Sequence, residues 1–289
     1  MQRIIERHTG KEIEDCPSIG QRFLYRSILG RCILKILICP FVTKLSGAYM
    51  NSRMSRIHIK RFIKKNHICM EDYPQKKYKS FNDFFTRKIL ADRRPIVQDS
   101  DILISPCDSK LSVFKLDKAY DETIFVIKGA YYTLSDLLNQ SPLAKQYENG
   151  YCLIFRLGVT DYHRYGYIDE GNQEKNISVP GVFHTVHPIS LEKYNFFKRN
   201  HRSYTVLHTK NFKDVVQVEV GAMMVGRIKN HFEDHSFTKG EEKGYFMFGG
   251  STIILLIQDI VTIDEDILMQ SQKNNEITVR YGERIGKLK

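Results

Sequence analysis

Between Gln21 and Leu45, apolar residues recur at Phe23, Leu24, Ile28, Leu29, Ile33, Leu34, Ile36, Leu37 and Ile38. Arg22, Arg26, Arg31 and Lys35 interrupt them before Cys39-Pro40. Cations at steps of four to five gather towards one side of a helix while the apolar set covers the rest. The pattern therefore predicts an amphipathic helix. Arg31 and Lys35 break any uncharged run of about 18–20 residues, which argues against a membrane-spanning segment. A helix lying in the interface of an anionic bilayer fits instead, with Lys and Arg reaching up to the headgroups. The alternative is a helix packed on the body of the protein with a solvated basic face. Residues 1–66 as a whole read as helical and basic. Ser55 to Asn66 predicts a second basic helix, and Ser80 or Asn82 caps a third that carries Phe84 and Phe85.

After Arg94-Pro95 the period changes to short extended runs between turn residues. These are Ile102–Ser105, Leu111–Leu116, Ile124–Lys128, Cys152–Leu157, Thr205–His208, Val215–Val220 and Thr252–Gln258. Tyr132 to Gln140, capped by Thr133, and Ser190 to Arg199 are short helices in this reading. The expected fold class is α+β. Residues 1–95 form a helical, basic, membrane-associating segment, and residues 96–289 form a β-rich catalytic domain.

Charge sharpens the division. Residues 1–66 hold fourteen Lys and Arg against four Asp and Glu, which leaves almost none of the chain's net charge of +11 for the remainder. An apolar fraction of 42% over 289 residues is that of a globular protein with a substantial core. Cysteines at 16, 32, 39, 69, 107 and 152 show no C-x-x-C pair and no regular spacing, which reads as reduced thiols in or facing a cytosolic compartment. No nucleic-acid recognition motif accompanies the basic segment.

The sharpest chemical feature is Phe248-Gly249-Gly250-Ser251-Thr252, a double glycine that delivers a serine into an apolar run ending at Ile257. Two glycines reach backbone conformations closed to other residues, so the Gly250 carbonyl can be held beside the Ser251 hydroxyl. That arrangement suits an N→O acyl shift followed by cleavage between Gly250 and Ser251. The plain alternative is a glycine turn feeding a buried strand. A serine needs a base and a group to orient that base. His163, in Thr160-Asp161-Tyr162-His163-Arg164, follows a predicted strand, as does Asp108 in Ser105-Pro106-Cys107-Asp108-Ser109. His184-x-x-His187 and His231-x-x-x-His235 have spacings that metal sites use, but neither an H-E-x-x-H nor a closed Cys/His set is present, so no metal is expected.

Six segments follow one another in a familiar order: Ser80-Phe81-Asn82-Asp83-Phe84-Phe85-Thr86-Arg87-Lys88, Arg94-Pro95-Ile96, Ser105-Pro106-Cys107-Asp108, Asp161-Tyr162-His163-Arg164, Gly221-Ala222-Met223-Met224-Val225-Gly226 and the Gly-Gly-Ser-Thr element. In order and spacing the chain resembles phosphatidylserine decarboxylase proenzymes from about Ser18 to about Ile257, in the branch with a Gly-Gly-Ser-Thr processing site. The resemblance implies an N-terminal helical part followed by a mostly antiparallel β domain. It implies an Asp/His/Ser arrangement of Asp108, His163 and Ser251. It also implies cleavage into a β chain 1–250 and an α chain 251–289 that stay together as a heterodimer, with Ser251 converted to a covalent pyruvoyl cofactor. That group would form a Schiff base with phosphatidylserine, release CO2 and yield phosphatidylethanolamine, with His163 as proton donor. The expected location is peripheral, on the cytosolic face of a membrane, the cell membrane if bacterial.

One position departs from the pattern. Some members carry a second histidine three residues after the first, where this chain has Gly166. Either His163 serves both maturation and turnover, or another histidine moves in, and His187 is the main rival. Phe84 and Phe85 are read as core packing, with guidance of acyl chains as the second possibility. The other functions weighed are a pyruvoyl-dependent decarboxylase of a soluble amino acid, a metal hydrolase, and a non-catalytic basic membrane-binding module.

Overall fold

The computed structural model describes residues 2–119, 122–127, 130–139, 141–192, 194, 196–222, 227–249 and 251–289. Among them, eleven strands make one sheet. In chain order these are Gln2–Ile5 (β1), Glu12–Asp15 (β2), Ser109–Lys115 (β3), Tyr151–Leu157 (β4), Gly171–Gln173 (β5), Ile177–Val179 (β6), Arg202–Thr209 (β7), Lys213–Val220 (β8), Ser236–Phe237 (β9), Ser251–Ile257 (β10) and Glu276–Val279 (β11). Across the sheet they run β9-β5-β7-β8-β10-β4-β3-β11-β1-β2, with β6 also on β7. Every pairing is antiparallel except β1 on β11. The architecture is α+β, with a mostly antiparallel sheet.

The apolar run after Ser251 becomes the most enclosed strand. β10 lies between β8 and β4, and Ile253 to Ile257 are all fully buried. Burying an aliphatic side chain contributes about 1.5–3 kcal/mol. Five in succession hold this strand in the sheet independently of the peptide bond that precedes it.

The N-terminal region differs from expectation at its beginning. Residues 2–5 and 12–15 are strands, β1 and β2, and they extend the central sheet beside β11. Their four-residue alternation is too short to read as strand, and their partner lies near the other end of the chain. Arg7 ties this edge down: it donates to Asp266 at 2.8 Å, Asp264 at 2.9 Å and Glu283 at 3.0 Å. The expected helix over 21–45 is three helices, Ile19–Arg26 (α1), Ile28–Leu37 (α2) and Pro40–Asn51 (α3). Ser27 makes the first break: its hydroxyl donates to Phe23 O and accepts from Gly30 N, both at 2.9 Å. A Cβ at Gly30 would stand 2.0 Å from Phe23 O, so only glycine permits the turn. Cys39-Pro40 makes the second, with Pro40 at the first helical position.

Two further helices follow, Ile57–Asn66 (α4) and Phe81–Phe85 (α5), the latter capped by Ser80, whose hydroxyl accepts from Asp83 N. Thr133 caps a helix over Leu134–Leu137 as expected, while Gln140 lies outside the described residues. The expected helix from Ser190 to Arg199 is a 3-10 turn, Pro188–Glu192, and a short helix, Phe196–Arg199. Among the described residues no helix is long and apolar enough to cross a membrane.

Arg7→Ala is expected to lower stability by about 2–3 kcal/mol, because it strips three carboxylates of a charged donor. Thermal unfolding of the two proteins side by side would measure this.

Candidate active site

Ser251 opens β10, fully buried, directly opposite Leu157 at the end of β4. Immediately beyond Leu157 the chain turns. Gly158 N donates to the Asp161 carboxylate at 2.7 Å and Asp161 N donates back to Gly158 O at 3.1 Å. Lys110 on β3 clamps the same carboxylate at 2.7 and 2.6 Å. This closed turn throws His163 back over the strand end, so that its Nδ1 lies 3.3 Å from Ser251 Oγ.

The other ring nitrogen decides what that contact can do. His163 Nε2 lies 2.9 Å from the Gly158 carbonyl oxygen, which can only accept. Nε2 therefore carries the proton, and Nδ1 presents a lone pair to the serine hydroxyl. Burial, reinforced by the positive charges of Arg87 and Lys110, lowers the His163 pKa from 6.5 to about 3, against the opposing pull of the Gly158 carbonyl. The imidazole is a neutral acceptor throughout the physiological range.

The Ser80–Lys88 segment builds the wall behind it. Phe85 stacks on the imidazole with ring centres 4.2 Å apart and 30° between planes. Phe81, Phe84 and Phe85 are all buried, and Phe248 of the glycine loop meets Phe81 and Phe85 edge-on. Asn82 Oδ1 accepts from Phe248 N at 2.9 Å while its amide donates to Asn51 at the end of α3 at 3.0 Å. The helical part thus grips the loop that carries Gly249, whose φ of 137° is a conformation that favours glycine. Gly250, on the far side of the expected scissile bond, lies outside the described residues, as do Met223 to Gly226 of the glycine-methionine motif.

Asp108 is placed differently from His163 and Ser251. Its carboxylate is gripped by Arg94, at 2.8 Å from Nε and 2.5 Å from Nη2, and accepts from Tyr281 N at 2.8 Å. The Arg94-Pro95 and Ser-Pro-Cys-Asp motifs are thereby tied together, and the acceptor that orients His163 is the Gly158 carbonyl. At Gly166 a Cβ would stand 2.2 Å from the Tyr281 hydroxyl and 2.5 Å from Glu241 O. Tyr281 fills the space that a side chain at that position would need.

His187 is elsewhere. It lines a cavity of about 530 Å³ between the sheet and the N-terminal helices, with Asp15, Lys110, Arg156, Leu24 of α1 and Gly249 among its other walls. His184 faces Tyr25, His231 bonds Glu242 and His235 bonds Glu241. Among the described residues no three His, Cys, Asp or Glu side chains converge as metal ligands. Sequence reasoning did not single out Gly158, and it read Phe85 as core packing or an acyl-chain guide and Asn82 as a helix cap; here Phe85 covers the His163 ring and Asn82 holds the Phe248 backbone. Asp161-Tyr162 after a strand marks a turn, but nothing local says which histidine nitrogen its carbonyl would meet.

A phosphatidylserine decarboxylase family model matches residues 81–287. Phosphatidylserine decarboxylase proenzyme 2 of Clostridium acetobutylicum is 46% identical, over 92% of this chain and 90% of its own length. The phosphatidylserine decarboxylase proenzyme of Clostridium novyi is 42% identical, over 92% and 91% respectively. That of Clostridium tetani is 42% identical over 86% and 84%.

The lowered His163 pKa has a defined sign. Below about 6.5 the unfolded chain takes up a proton that the folded chain refuses until about 3, so this residue's contribution to stability is full above 6.5 and falls away as the pH drops through that window. Any base step through His163 should accordingly show no inflection near pH 6.5. Following chain cleavage on denaturing gels from pH 5.5 to 8 checks this, and a rate that halves near pH 6.5 would contradict it. Phe85→Ala, which frees the ring to rotate, should slow the same cleavage by about tenfold or more.

Proposed function

This chain belongs to the phosphatidylserine decarboxylase family, and from that premise we propose how its own residues carry out maturation and turnover. The protein is a carboxy-lyase that converts phosphatidylserine to phosphatidylethanolamine and CO2. A metal hydrolase, a soluble-amino-acid decarboxylase and a non-catalytic membrane module are not favoured by that membership. The observation that carries the maturation scheme is the Ser251 Oγ to His163 Nδ1 contact of 3.3 Å, with Nε2–H committed to the Gly158 carbonyl.

His163 Nδ1 takes the hydroxyl proton of Ser251, and Oγ attacks the Gly250 carbonyl. The amide nitrogen leaves protonated, so an ester replaces the peptide bond. Loss of the Cα proton of residue 251 then expels the Gly250 carboxylate and leaves dehydroalanine. Tautomerisation and attack by water release ammonia, and the α chain begins with a pyruvoyl group. The site fits that group: residue 251 is dry, follows the glycine pair and is the first residue of a fully enclosed strand. Held at position 251, that group would supply an electron sink for decarboxylation of an amine substrate. His163 remains beside position 251 after the hydroxyl is gone, held by Gly158 and Phe85, and serves there to pass protons. Asp108 acts by fixing Arg94 and the backbone at Tyr281, not by touching His163.

Cleavage leaves the two chains interleaved. β10, from the α chain, sits between β8 and β4, and β11 sits between β3 and β1. Arg7 of the β chain is bound by Asp264, Asp266 and Glu283 of the α chain. A lasting heterodimer follows from that weave. Peripheral attachment to an anionic membrane is supported by Ile19, Ile28, Leu29, Ile36, Phe41 and Leu45 on α1 to α3, each at least 63% exposed and interspersed with Arg22, Arg26, Arg31 and Lys35. Gln21 and Leu24 of α1 line the cavity that reaches Gly249, which supports entry of a lipid headgroup from the side of that helix.

Wild-type protein should give chains 1–250 and 251–289 by mass spectrometry, the second blocked at its N-terminus, and the two should co-elute without denaturant. His163→Ala should remain one chain. His187→Ala should still be cut, and the reverse pattern would transfer the base to His187. Hydroxylamine, which consumes a carbonyl, should abolish CO2 release from phosphatidylserine vesicles.

A further inference from the structure

The cavity beside the glycine loop holds a polar group that the maturation chemistry leaves unused. His187 Nδ1 accepts from Ile189 N at 3.2 Å, so in the neutral ring the proton sits on Nε2. That Nε2 is buried and makes no hydrogen bond; Asp15 Oδ1 faces it at 3.6 Å, beyond hydrogen-bond length. A buried donor whose facing acceptor stands beyond hydrogen-bond length is costly in a native protein, and such groups call for an explanation. The segment that carries it is held in place. Thr185 N donates to the Tyr25 hydroxyl of α1 at 2.9 Å, and Ser190 Oγ donates to Thr185 O at 2.7 Å.

The two cations around this donor are already paired, and their three carboxylate partners leave the group one negative charge in excess. Arg156 is paired with Glu276 and Asp15, and Lys110 with Asp161. A simple anion would have to compete with these carboxylates. The floor of the cavity does place a donor, His187 Nε2–H, beside an acceptor, the Asp15 carboxylate. A ligand that complements both must carry an acceptor and a cationic donor close together. The α-ammonium and α-carboxylate of a serine headgroup are such a pair on a single carbon. An ethanolamine headgroup keeps the ammonium and lacks the carboxylate.

We propose that Asp15 and His187 form the headgroup-recognition pair of this cavity, Asp15 accepting from the amino group and His187 Nε2–H donating to the carboxylate of the serine headgroup. The inference rests on the decarboxylase reading and adds the residues that separate substrate from product. Loss of the carboxylate removes the acceptor for His187 while the Asp15 contact persists, so the product is held more weakly than the substrate. His187 thereby has a task distinct from that of His163, on the cavity side of the sheet. Asp15, at the end of β2 just before α1, links the headgroup site to the helix proposed to lie on the membrane.

The test uses the full-length chain with Ser251→Ala, which cannot mature, titrated calorimetrically with glycerophosphoserine and with glycerophosphoethanolamine. The serine compound should bind at least tenfold more tightly. Adding His187→Leu should bring the two within about twofold, and His187→Gln, which keeps a donor, should restore part of the preference. Asp15→Asn should weaken both compounds. Equal binding of the two compounds by the Ser251→Ala chain would overturn the proposal, and so would an unchanged preference in a His187→Leu protein that melts at the parental temperature. Parallel assays on the otherwise wild-type chain separate the two levels. If it releases no CO2 from phosphatidylserine vesicles, the decarboxylase reading has failed. If it does so, and His187→Leu leaves KM for phosphatidylserine unaltered, the recognition pair alone has failed.

Discussion

The hydrogen bond from His163 Nε2 to the Gly158 carbonyl, at 2.9 Å, is the constraint on which the site depends. A histidine beside a serine can be a donor or an acceptor, and only the partner of its far nitrogen settles which. Here a backbone carbonyl does so without a carboxylate. A carboxylate would also have stabilised the charged ring. The carbonyl fixes the tautomer while burial keeps the imidazole neutral, a combination suited to taking a proton from a serine that must act at least once in the life of each molecule.

That bond exists because several distant segments hold the turn at 158–163. Lys110 on β3 closes it through Asp161, Phe246 N caps the His163 carbonyl at 3.0 Å, and Phe85 covers the ring. α5 is short, yet its residues reach the site from two directions, Phe85 onto the base and Asn82 onto the backbone of Phe248 beside the cleavage position. The N-terminal region is therefore part of the framework around Ser251 and His163 as well as the basic part of the chain. Its first strands complete the sheet, its helices wall the cavity, and its fifth helix orders the processing loop.

The two faces of the sheet carry different groups at this point. In the antiparallel register Ser251 stands opposite Leu157, whereas Thr252 stands opposite Arg156. Neighbouring residues of a strand project to opposite sides. The serine and its base are on the dry side, under aromatic cover. Arg156, with Asp15 and His187, belongs to the other side, where the cavity opens towards the helices. The cavity comes round the strand end to Leu157, Gly158 and Gly249, so its polar floor continues up to the loop that precedes Ser251.

Much of this was legible in residues that act on their neighbours. The caps at Ser80 and Thr133, the amphipathic spacing from Gln21 to Leu45 and the apolar run after Ser251 all express local backbone and side-chain preferences, and the structure has a capped helix at each of the first two, helix broken into three over the next, and a strand at the last. What lay beyond local pattern was every pairing set by register. His163 and Ser251 are 88 positions apart. Asp108 occupies a motif beside the site yet is held by Arg94, and Gly166 is explained only by the Tyr281 hydroxyl that crowds it. β1 finds a parallel partner near the other end of the chain. Sequence by itself determined which serine follows a glycine pair and leads an apolar strand, and where the basic helices lie, because those properties reside in adjacent residues. Tertiary structure alone decided which histidine meets that serine and with which nitrogen, because a hydrogen bond is set by positions a few tenths of an ångström apart that only the assembled sheet fixes.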